Sequence, residues 1–481
     1  MDGTGGVSVN ESWAIGARGM GDERFFQGFI DEVAIHSRVL SDQEILDRYY
    51  TGGIASRVVP IDWPRFDQAL PQDQDLDQSV AILLNSTRYN VAWIEQMFDE
   101  NPERGMYILT NTTENGIRPA ASAVYGLAAV LRTGIFDQNV TGASENQATS
   151  RAVKLIKGVA AIHEVNGNPG ASWGDSWQSA LWAAMLGQAG WMLWDDLDVE
   201  AQHWLASAIE YEANRFIEPG YQVPYWNGVG GDSKAEENAW NAMLLQVAVA
   251  MMPDAPQAAQ WKRICIELMV SAFAREEDVQ NGTLLLDGQF VQEWLNGYNL
   301  RADGVVINHN LVHNDYMSTI TFNMHAILSQ SLARRPAPEA ADFNFDVVYH
   351  SLVANYFPSP PHEEPGGTMY IPESPEQYYP QGTDWSRYRF DIFYVMDVYA
   401  HIFEYDSGLT HTAQHWMRLR AQKIFEMQSR HADGHIYAPG EYDTYAGCEQ
   451  LAIWQLTDAF LLHWLYWQDS ISETANWLAK E

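Results

Sequence analysis

Cysteine is scarce in this chain, and long hydrophobic runs are missing. Only two of the 481 residues are cysteines, Cys265 and Cys448, and their separation gives no CxxC pair. This argues against a disulfide framework and against a thiolate metal site. No run reaches about 18 uninterrupted apolar residues. The N-terminus also lacks a basic segment followed by an apolar one, so we expect neither a membrane span nor a signal peptide.

Basic residues are also few. The chain carries 28 Lys and Arg against 63 Asp and Glu, a formal charge of −35. Such a field repels nucleic acid and anionic lipid, so we expect neither nucleic acid nor a membrane as partner. It also opposes an acidic polysaccharide, unless basic residues are concentrated where the substrate binds.

The cofactor-binding motifs are missing as well. The sequence has no phosphate-cradling glycine-rich loop, no GxSxG elbow and no dinucleotide fingerprint, so we expect catalysis without a cofactor. What is abundant is apolar and aromatic: 46% of residues are hydrophobic, including 19 Trp, 23 Tyr and 18 Phe. Aromatic rings fill cores, and they also stack on sugar faces.

The first fifty residues differ from the rest. They are glycine-rich, with short alternating runs followed by an acidic helix-like stretch, which predicts strands and one terminal helix over residues 1–53. The segment FFQGFIDEVAIHSRVLSDQEILDRY resembles the closing strands of a laminin-G-like (concanavalin A-like) jelly-roll module. The resemblance covers about fifty residues, much less than a whole module, and it implies an extracellular or periplasmic location. Residues 54–76 are rich in Pro and Asp and are interpreted as a linker.

From residue 77 to 481 the pattern changes to apolar residues at spacings of three and four, which predicts helices. Twelve helices indicate six hairpins, which favours an (α/α)6-type toroid of helical hairpins in a mainly α protein, with the catalytic domain at 77–481. An open solenoid is the alternative, but no fixed-length repeat is seen. The predicted segments are 77–98, 118–132, 149–165, 175–193, 198–214, 236–251, 257–275, 311–333, 343–355, 385–404, 409–428 and 448–466.

The densest group of chemically active residues is the segment NHNLVHNDYM. If it opens a helix, His309 and His313 lie one turn apart on one face, and Tyr316 follows three residues later. Together with Asn308 they offer the base, the acid and the neutral donor needed to abstract the proton next to a uronate carboxylate. Part of the group could instead cap the helix. Two His and a nearby carboxylate could also hold a divalent ion.

This constellation resembles the α/α-toroid polysaccharide lyases, which place an Asn–His pair and a Tyr, often with an Arg, around a uronate. The resemblance covers about twenty residues. It implies that Asn308, His309 and Tyr316 are catalytic, in a lyase that cleaves a uronic-acid-containing polysaccharide by β-elimination. We expect Arg387 or His313 to assist as further catalytic residues, and we expect no bound metal.

Further segments combine aromatic and acidic residues where helices are expected to begin. Each admits a structural interpretation, as core, helix cap, surface ion pair or loop tyrosine, beside a role in sugar binding. The expected substrate-binding residues are Trp173, Asp175, Trp177, Glu237, Asn238, Trp240, Tyr379, Asp384, Trp385, Glu441 and Tyr442.

Two other functions remain open at this point. An inverting glycoside hydrolase on the same fold would use two carboxylates with a water between them, and it tolerates the negative charge of the chain. Its candidate residues are Asp175, Glu237, Asp315, Asp384 and Glu441. A non-catalytic carbohydrate-binding protein would need no converging titratable groups.

Overall fold

A computed structural model describes residues 38–41, 45, 53–167, 172–443 and 445–479. The chain divides into two compact units, Met1–Tyr49 and Tyr50–Glu481. Apart from residues 38–41, 45 and 53, the segment 1–53, with its expected strands and helix and its laminin-G-like resemblance, lies outside the described residues.

The second unit is mainly helical, as predicted. The described residues contain twelve helices of ten or more residues: α1 Gln74–Met97, α2 Glu114–Arg132, α3 Glu145–Ala161, α4 Ser179–Met192, α5 Val199–Asn214, α6 Ala235–Met251, α7 Ala258–Ala272, α8 Thr321–Ala333, α9 Phe345–Ala354, α10 Phe390–Ile402, α11 Ala413–Ser429 and α12 Cys448–Trp467.

Shorter helical pieces lie between these helices. Three are single α-helical turns: Gln138–Thr141, Val291–Trp294 and Asn314–Met317. The 3₁₀ turns are Ile54–Arg57, Trp63–Arg65, Glu164–Asn166, Trp194–Asp196, Arg215–Ile217, Glu276–Gln280, Ser318–Ile320 and Glu339–Asp342.

Strands are short and pair only locally. Four pairs are antiparallel: β1 Asp99–Asn101 with β2 Met106–Ile108, β3 Leu285–Leu286 with β4 Gln289–Phe290, β5 Ile307–Asn308 with β6 Leu311–Val312, and β8 Tyr356–Phe357 with β9 Gly367–Thr368. The fifth pair, β7 Ala337–Pro338 with β10 Thr474–Ala475, is parallel.

Burial alternates along the series of helices. All fourteen residues of α4 are buried, and α6, α8, α10 and α12 are buried over almost their whole length. Helices α1, α3, α5 and α11 bury one face and expose polar residues on the other. A helix that is apolar on all sides is stable only when it is surrounded by other elements. The even-numbered helices therefore form the core of the unit.

The even-numbered helices pack on one another in sequence order. Helix α2 contacts α4, α4 contacts α6, α6 contacts α8, α8 contacts α10, α10 contacts α12, and α12 returns to α2. The contacts therefore form a closed circuit, with the odd-numbered helices packed against it.

Two local predictions need correction or refinement. The helix expected from residue 311 begins later, because 311–312 form strand β6 and the long helix α8 starts at Thr321. The segment 54–76, interpreted as a linker, packs on the helical unit: Val58 and Ile61 are buried, and the Trp191 indole donates to the Val59 carbonyl at 2.7 Å.

Of the described helices, none has both the length and the apolar character needed to cross a membrane.

Candidate active site

A cavity of about 160 Å³ lies where the N-terminal ends of the six even-numbered helices meet. Three of these helices, α4, α10 and α12, begin without a hydrogen bond from the side chain of the N-cap residue. Helix N-termini carry partial positive charge, so their convergence favours an anionic ligand. The wall is formed by Arg118, Trp177, Gln178, Leu181, Glu236, Asp315, Tyr316, Ser318, Thr319, Phe322, Trp385, Arg389, Ile392, Tyr445, Leu451, Trp454 and Gln455.

The His309 segment is a β-hairpin, and the prediction that His309 and His313 share a helix face is wrong. Strands β5 and β6 are joined by His309 and Asn310, both with left-handed backbone (φ +49° and +62°). Asn tolerates this conformation better than most residues. The turn is anchored by the Asn310 amide, which donates to the Gly231 carbonyl at 2.7 Å.

The hairpin nevertheless brings the predicted groups together. The Tyr316 hydroxyl lies 3.2 Å from Nε2 of His309, and Nδ1 of His309 lies 2.7 Å from Asp384. The other Asp384 oxygen lies 3.1 Å from Nε2 of His313. Trp385 packs against this network, with its ring centre 5.1 Å from that of Tyr316. Tyr316 and Trp385 line the cavity, so the network reaches the cavity through Tyr316.

The environment fixes the charge of this network. Partial burial opposes ionisation of Asp384, but hydrogen bonds from His309 and His313 lower its pKa below the usual value. Burial lowers the pKa of His313 to about 4, against the opposing effect of Asp384. Burial raises the pKa of Tyr316, and the nearby acidic side chains of Glu236 and Glu237, once ionised, raise it further. At neutral pH the network therefore holds a neutral tyrosine, a neutral His313 and an ionised Asp384.

Two arginines supply positive charge to the cavity wall, in different ways. Arg389 is buried and paired: it lies 3.2 Å from Asp443 and 3.5 Å from Asp391. Arg118 stacks on the Tyr445 ring and donates to Gln178 at 3.0 Å. Its Nε is buried with no hydrogen-bond partner, and no carboxylate of the described residues lies within ion-pair distance of it. Arg118 is therefore available to pair with an anionic ligand.

Two carboxyl groups of the wall, Glu236 and Asp315, have raised pKa values. Burial, reinforced by the charge of Glu237, raises the pKa of Glu236 to about 8. Burial likewise raises the pKa of Asp315 to about 7, against the opposing charge of Arg389 and a hydrogen bond from Tyr379. Since Glu236 is mostly protonated at neutral pH, it does not neutralise Arg118.

Of the other predicted residues, Trp177 lines the cavity and is 63% exposed, with its ring edge-on to Trp240 at 5.0 Å. Trp240 itself is fully buried. Trp173 is core: its indole donates to the Val159 carbonyl at 2.8 Å, and its ring contacts His163.

Several predicted residues have structural partners outside the wall. Asn308 is buried and accepts a hydrogen bond from the His309 amide at 2.8 Å. Asp175 has a left-handed backbone, and its carboxylate lies 3.6 Å from Arg215. Glu237 accepts from Lys234 at 2.8 Å, and Asn238 exchanges two hydrogen bonds with the Tyr225 backbone.

The remaining predicted residues lie beside the cavity. Arg387 is exposed and stacks on the Tyr379 ring, whose hydroxyl donates to Asp315 at 3.2 Å. Glu441 forms a bidentate ion pair with Arg430, with N–O distances of 2.7 and 2.6 Å. Tyr442 is exposed and lines a second cavity that shares Tyr445 with the first.

Arg118 lines the cavity but was not predicted from the sequence to be a site residue. It lies in the helix predicted from residue 118, but its cavity neighbour Tyr445 is 327 positions later, and no local pattern links the two. Glu236 also lies in the wall, although the spacing of Ser233 and Glu236 in the sequence is that of a helix capping box. Ser233 does accept from the Ala235 amide at 3.2 Å, but the Glu236 side chain belongs to the cavity wall.

Two groups within the described part of the chain have the spacing of metal ligands: His309 with His313 and Asp384, and Glu373 with His411 and His415. The first is the hydrogen-bonded network beside the cavity. The second lies elsewhere in the unit.

Comparison of the chain with protein-family models and with curated protein sequences gives no match.

Proposed function

We propose that this protein is a polysaccharide lyase that cleaves a uronic-acid-containing chain by β-elimination in the cavity lined by Tyr316, Arg118 and Trp385. The observation that carries the proposal is the Tyr316–His309–Asp384 relay at the edge of a cavity that also holds an unpaired arginine. β-Elimination needs a base for the C5 proton, an acid for the leaving oxygen, and a cation beside the carboxylate.

The assignment of roles follows from the pKa shifts and contacts. Asp384 accepts from Nδ1 of His309, which leaves Nε2 without a proton of its own, so that it can act as the base once substrate displaces the Tyr316 hydroxyl from it. Tyr316 stays protonated at neutral pH because its pKa is raised, so it suits the acid that protonates the leaving oxygen. The C5–H and C4–O bonds break, a C4=C5 double bond forms, and the proton count is conserved without water. Nε2 of His313 contacts the second carboxylate oxygen of Asp384 and so helps to hold this carboxylate in position.

The net charge of −35 opposes binding of an acidic polysaccharide, but Arg118 supplies a local positive charge in the cavity. A cation without a carboxylate partner, surrounded by helix N-termini, makes the cavity locally attractive to a uronate. In this proposal Arg118 takes the carboxylate-binding role that the sequence assigned to Arg387 and Asn308. Trp177 and Trp385 offer rings on which sugar units can stack.

The closed circuit of even-numbered helices supports the further proposal that the unit is an (α/α)6 toroid with its cleft at the inner N-termini. An open solenoid has no contact between its first and last helices, whereas α12 contacts α2 here. The extracellular or periplasmic location and the laminin-G-like origin of residues 1–53 stay predictions.

One observation favours a second function, an inverting glycoside hydrolase. Glu236 lies in the cavity wall with a pKa of about 8, as expected of a general acid that protonates a glycosidic oxygen. Asp315, in the same wall, would be the base. This alternative leaves the Tyr316–His309–Asp384 relay without a role.

The two functions differ in their product. Elimination gives a conjugated double bond that absorbs ultraviolet light, whereas hydrolysis gives reducing ends without it. Incubating the protein with uronate polysaccharides and with neutral glycans, and measuring absorbance and reducing ends in parallel, distinguishes them. Reducing ends without absorbance would reject the lyase proposal.

A further inference from the structure

A second group of potential ligands lies outside the cavity wall, where the loop before α10 meets the start of α11. Glu373 comes from the loop, and His411 and His415 flank the N-cap residue Thr412. Nδ1 of His411 lies 3.7 Å from one Glu373 oxygen, and Nε2 of His415 lies 3.9 Å from the other. One ligand atom from each of the three residues lies within 4.8 Å of the other two.

These separations are too long for hydrogen bonds but suit a shared ion. Two ligand atoms about 2.1 Å from one tetrahedral Zn²⁺ are about 3.4 Å apart, so small side-chain rotations would place all three on one ion. Nε2 of His415 is buried and has no hydrogen-bond partner among the described residues. A buried imidazole nitrogen without a partner is unfavourable unless something binds it.

Packing on Trp416 holds the two histidine side chains in place, and a turn fixes the backbone of Glu373. Both imidazoles contact the buried Trp416 ring, at 5.5 and 5.0 Å, and they stack on each other at 4.7 Å. Glu373 follows Pro372 in a turn closed by the Ser374 amide and the Ile371 carbonyl, and it adopts a left-handed φ of +58°. Glycine is the usual residue at such a turn position, so a glutamate there carries a backbone cost.

We propose that Glu373, His411 and His415 bind a divalent transition metal, best Zn²⁺, with a fourth position left to water. Two imidazole nitrogens and one carboxylate oxygen form a ligand set that suits zinc and its neighbours rather than Mg²⁺ or Ca²⁺. The metal ties the Glu373 loop to α11. The same loop continues to Tyr379, whose hydroxyl donates a hydrogen bond to Asp315 in the cavity wall. The bound metal therefore also restricts the motion of that wall.

The test is Zn²⁺ binding to the full chain after removal of metal with a chelator, followed by isothermal titration calorimetry and by analysis of zinc retained after gel filtration. Glu373→Gln and His415→Ala should each weaken binding at one site by about 100-fold or more, since loss even of an outer-sphere partner costs about 10–100-fold. Zn²⁺ should raise the Tm of the wild type by more than that of these variants.

Two controls make the result decisive. Glu376→Gln, an exposed glutamate three residues further along the same loop, should keep wild-type Zn²⁺ affinity. A His309→Ala/His313→Ala variant should keep this equivalent of zinc even if the cavity network binds another. Loss of the equivalent in the His309/His313 variant, its persistence in Glu373→Gln, or no Zn²⁺ binding by the wild type would overturn the proposal. None of these outcomes bears on the lyase chemistry, which is read from product absorbance.

Discussion

The Tyr316 hydroxyl and His309 Nε2 are 3.2 Å apart, although they approach from different elements: His309 from the turn of a β-hairpin and Tyr316 from the helical turn that follows it. His309 has a left-handed backbone (φ +49°) in this turn. Asp384, 75 positions later, completes the relay. A tight hairpin turn thus brings together the two groups to which the proposal assigns the roles of base and acid.

Substitution Tyr316→Phe removes the proton donor and leaves the ring packed on Trp385. We expect the rate of product formation to fall by about 10²–10⁴-fold, the usual contribution of a positioned acid or base. The Tm should change little. Tyr356→Phe is the matched control, because Tyr356 is 69% exposed and lies outside the cavity wall. A Tyr316→Phe variant with wild-type rates would contradict the assigned role.

Substitution Asp384→Asn should lower the rate by a similar factor, because the amide can no longer accept from both His309 and His313 and the favoured tautomer of His309 is lost. The effect should appear in kcat rather than in KM, since Asp384 does not line the cavity. Asp303→Asn serves as control, because Asp303 pairs with Arg301 at a partly exposed site. Equal effects of the two substitutions would argue against the relay.

Substitution Arg118→Gln should raise KM for a uronate substrate about tenfold or more, equivalent to about 1.4 kcal/mol of lost binding. Arg387→Gln should have little effect, because Arg387 stacks on Tyr379 outside the wall. Steady-state kinetics on one substrate compares the two variants directly. The opposite order of effects would restore the sequence-based assignment of carboxylate binding to Arg387.

Substitution Glu236→Gln tests whether the pKa of the Glu236 carboxyl group is raised in the folded protein. The folded-state pKa of about 8 exceeds the ordinary value of 4.5, so the folded protein holds this proton more tightly than the unfolded chain does. The wild type should therefore lose stability, relative to Glu236→Gln, as pH rises from about 4.5 to about 8, by roughly a few kcal/mol in total. Denaturant unfolding at several pH values measures the difference. A constant difference across this range would show that the pKa of Glu236 is not raised.

The same Glu236→Gln variant separates the two candidate functions. A lyase that uses Tyr316 and His309 keeps substantial activity after this substitution, whereas a hydrolase that uses Glu236 as its acid loses almost all of it. Product analysis should accompany this comparison.

Breaking the buried ion pair between Arg420 and Asp397 tests how much the packing of the core contributes to stability. Both side chains are fully buried, and Asp397 also accepts from the hydroxyls of Tyr349 and Tyr370. Asp397→Ala leaves Arg420 uncompensated and should reduce the free energy of unfolding by about 3–5 kcal/mol. Asp62→Ala, which breaks an exposed pair with Arg65, should cost less than about 1 kcal/mol. Similar costs for both would contradict the burial of the pair.

Helix positions could be predicted where one-sided burial imposes a period of about 3.6 residues, as in α5, and where a long apolar stretch lies between polar segments, as in the almost wholly buried α6. The segment predicted at 198–214 is observed at 199–214, and that at 236–251 is observed at 235–251. Element boundaries were less predictable where polar residues begin a helix. At 308–313 the Asn residues on either side of His309 are compatible with a tight hairpin turn, but the sequence was interpreted as a helix start.

The site was only partly predictable for a different reason. His309, His313 and Tyr316 lie close together in sequence, so their convergence had a local signal. Trp173 and Asn238 belong to similar polar and aromatic segments, but their side chains satisfy backbone groups instead. Arg118 meets Tyr445 only through the packing of α2 against α12, a contact that a single sequence does not show.

The most direct test of the central claim is the ultraviolet absorbance of the conjugated product, measured on a uronate polysaccharide with the wild type and with Tyr316→Phe, alongside reducing ends. The proposal predicts that absorbance and reducing ends rise together with the wild type and that both are lost with the Tyr316→Phe variant. Reducing ends without absorbance, or undiminished absorbance in the variant, would contradict elimination by the Tyr316–His309–Asp384 relay.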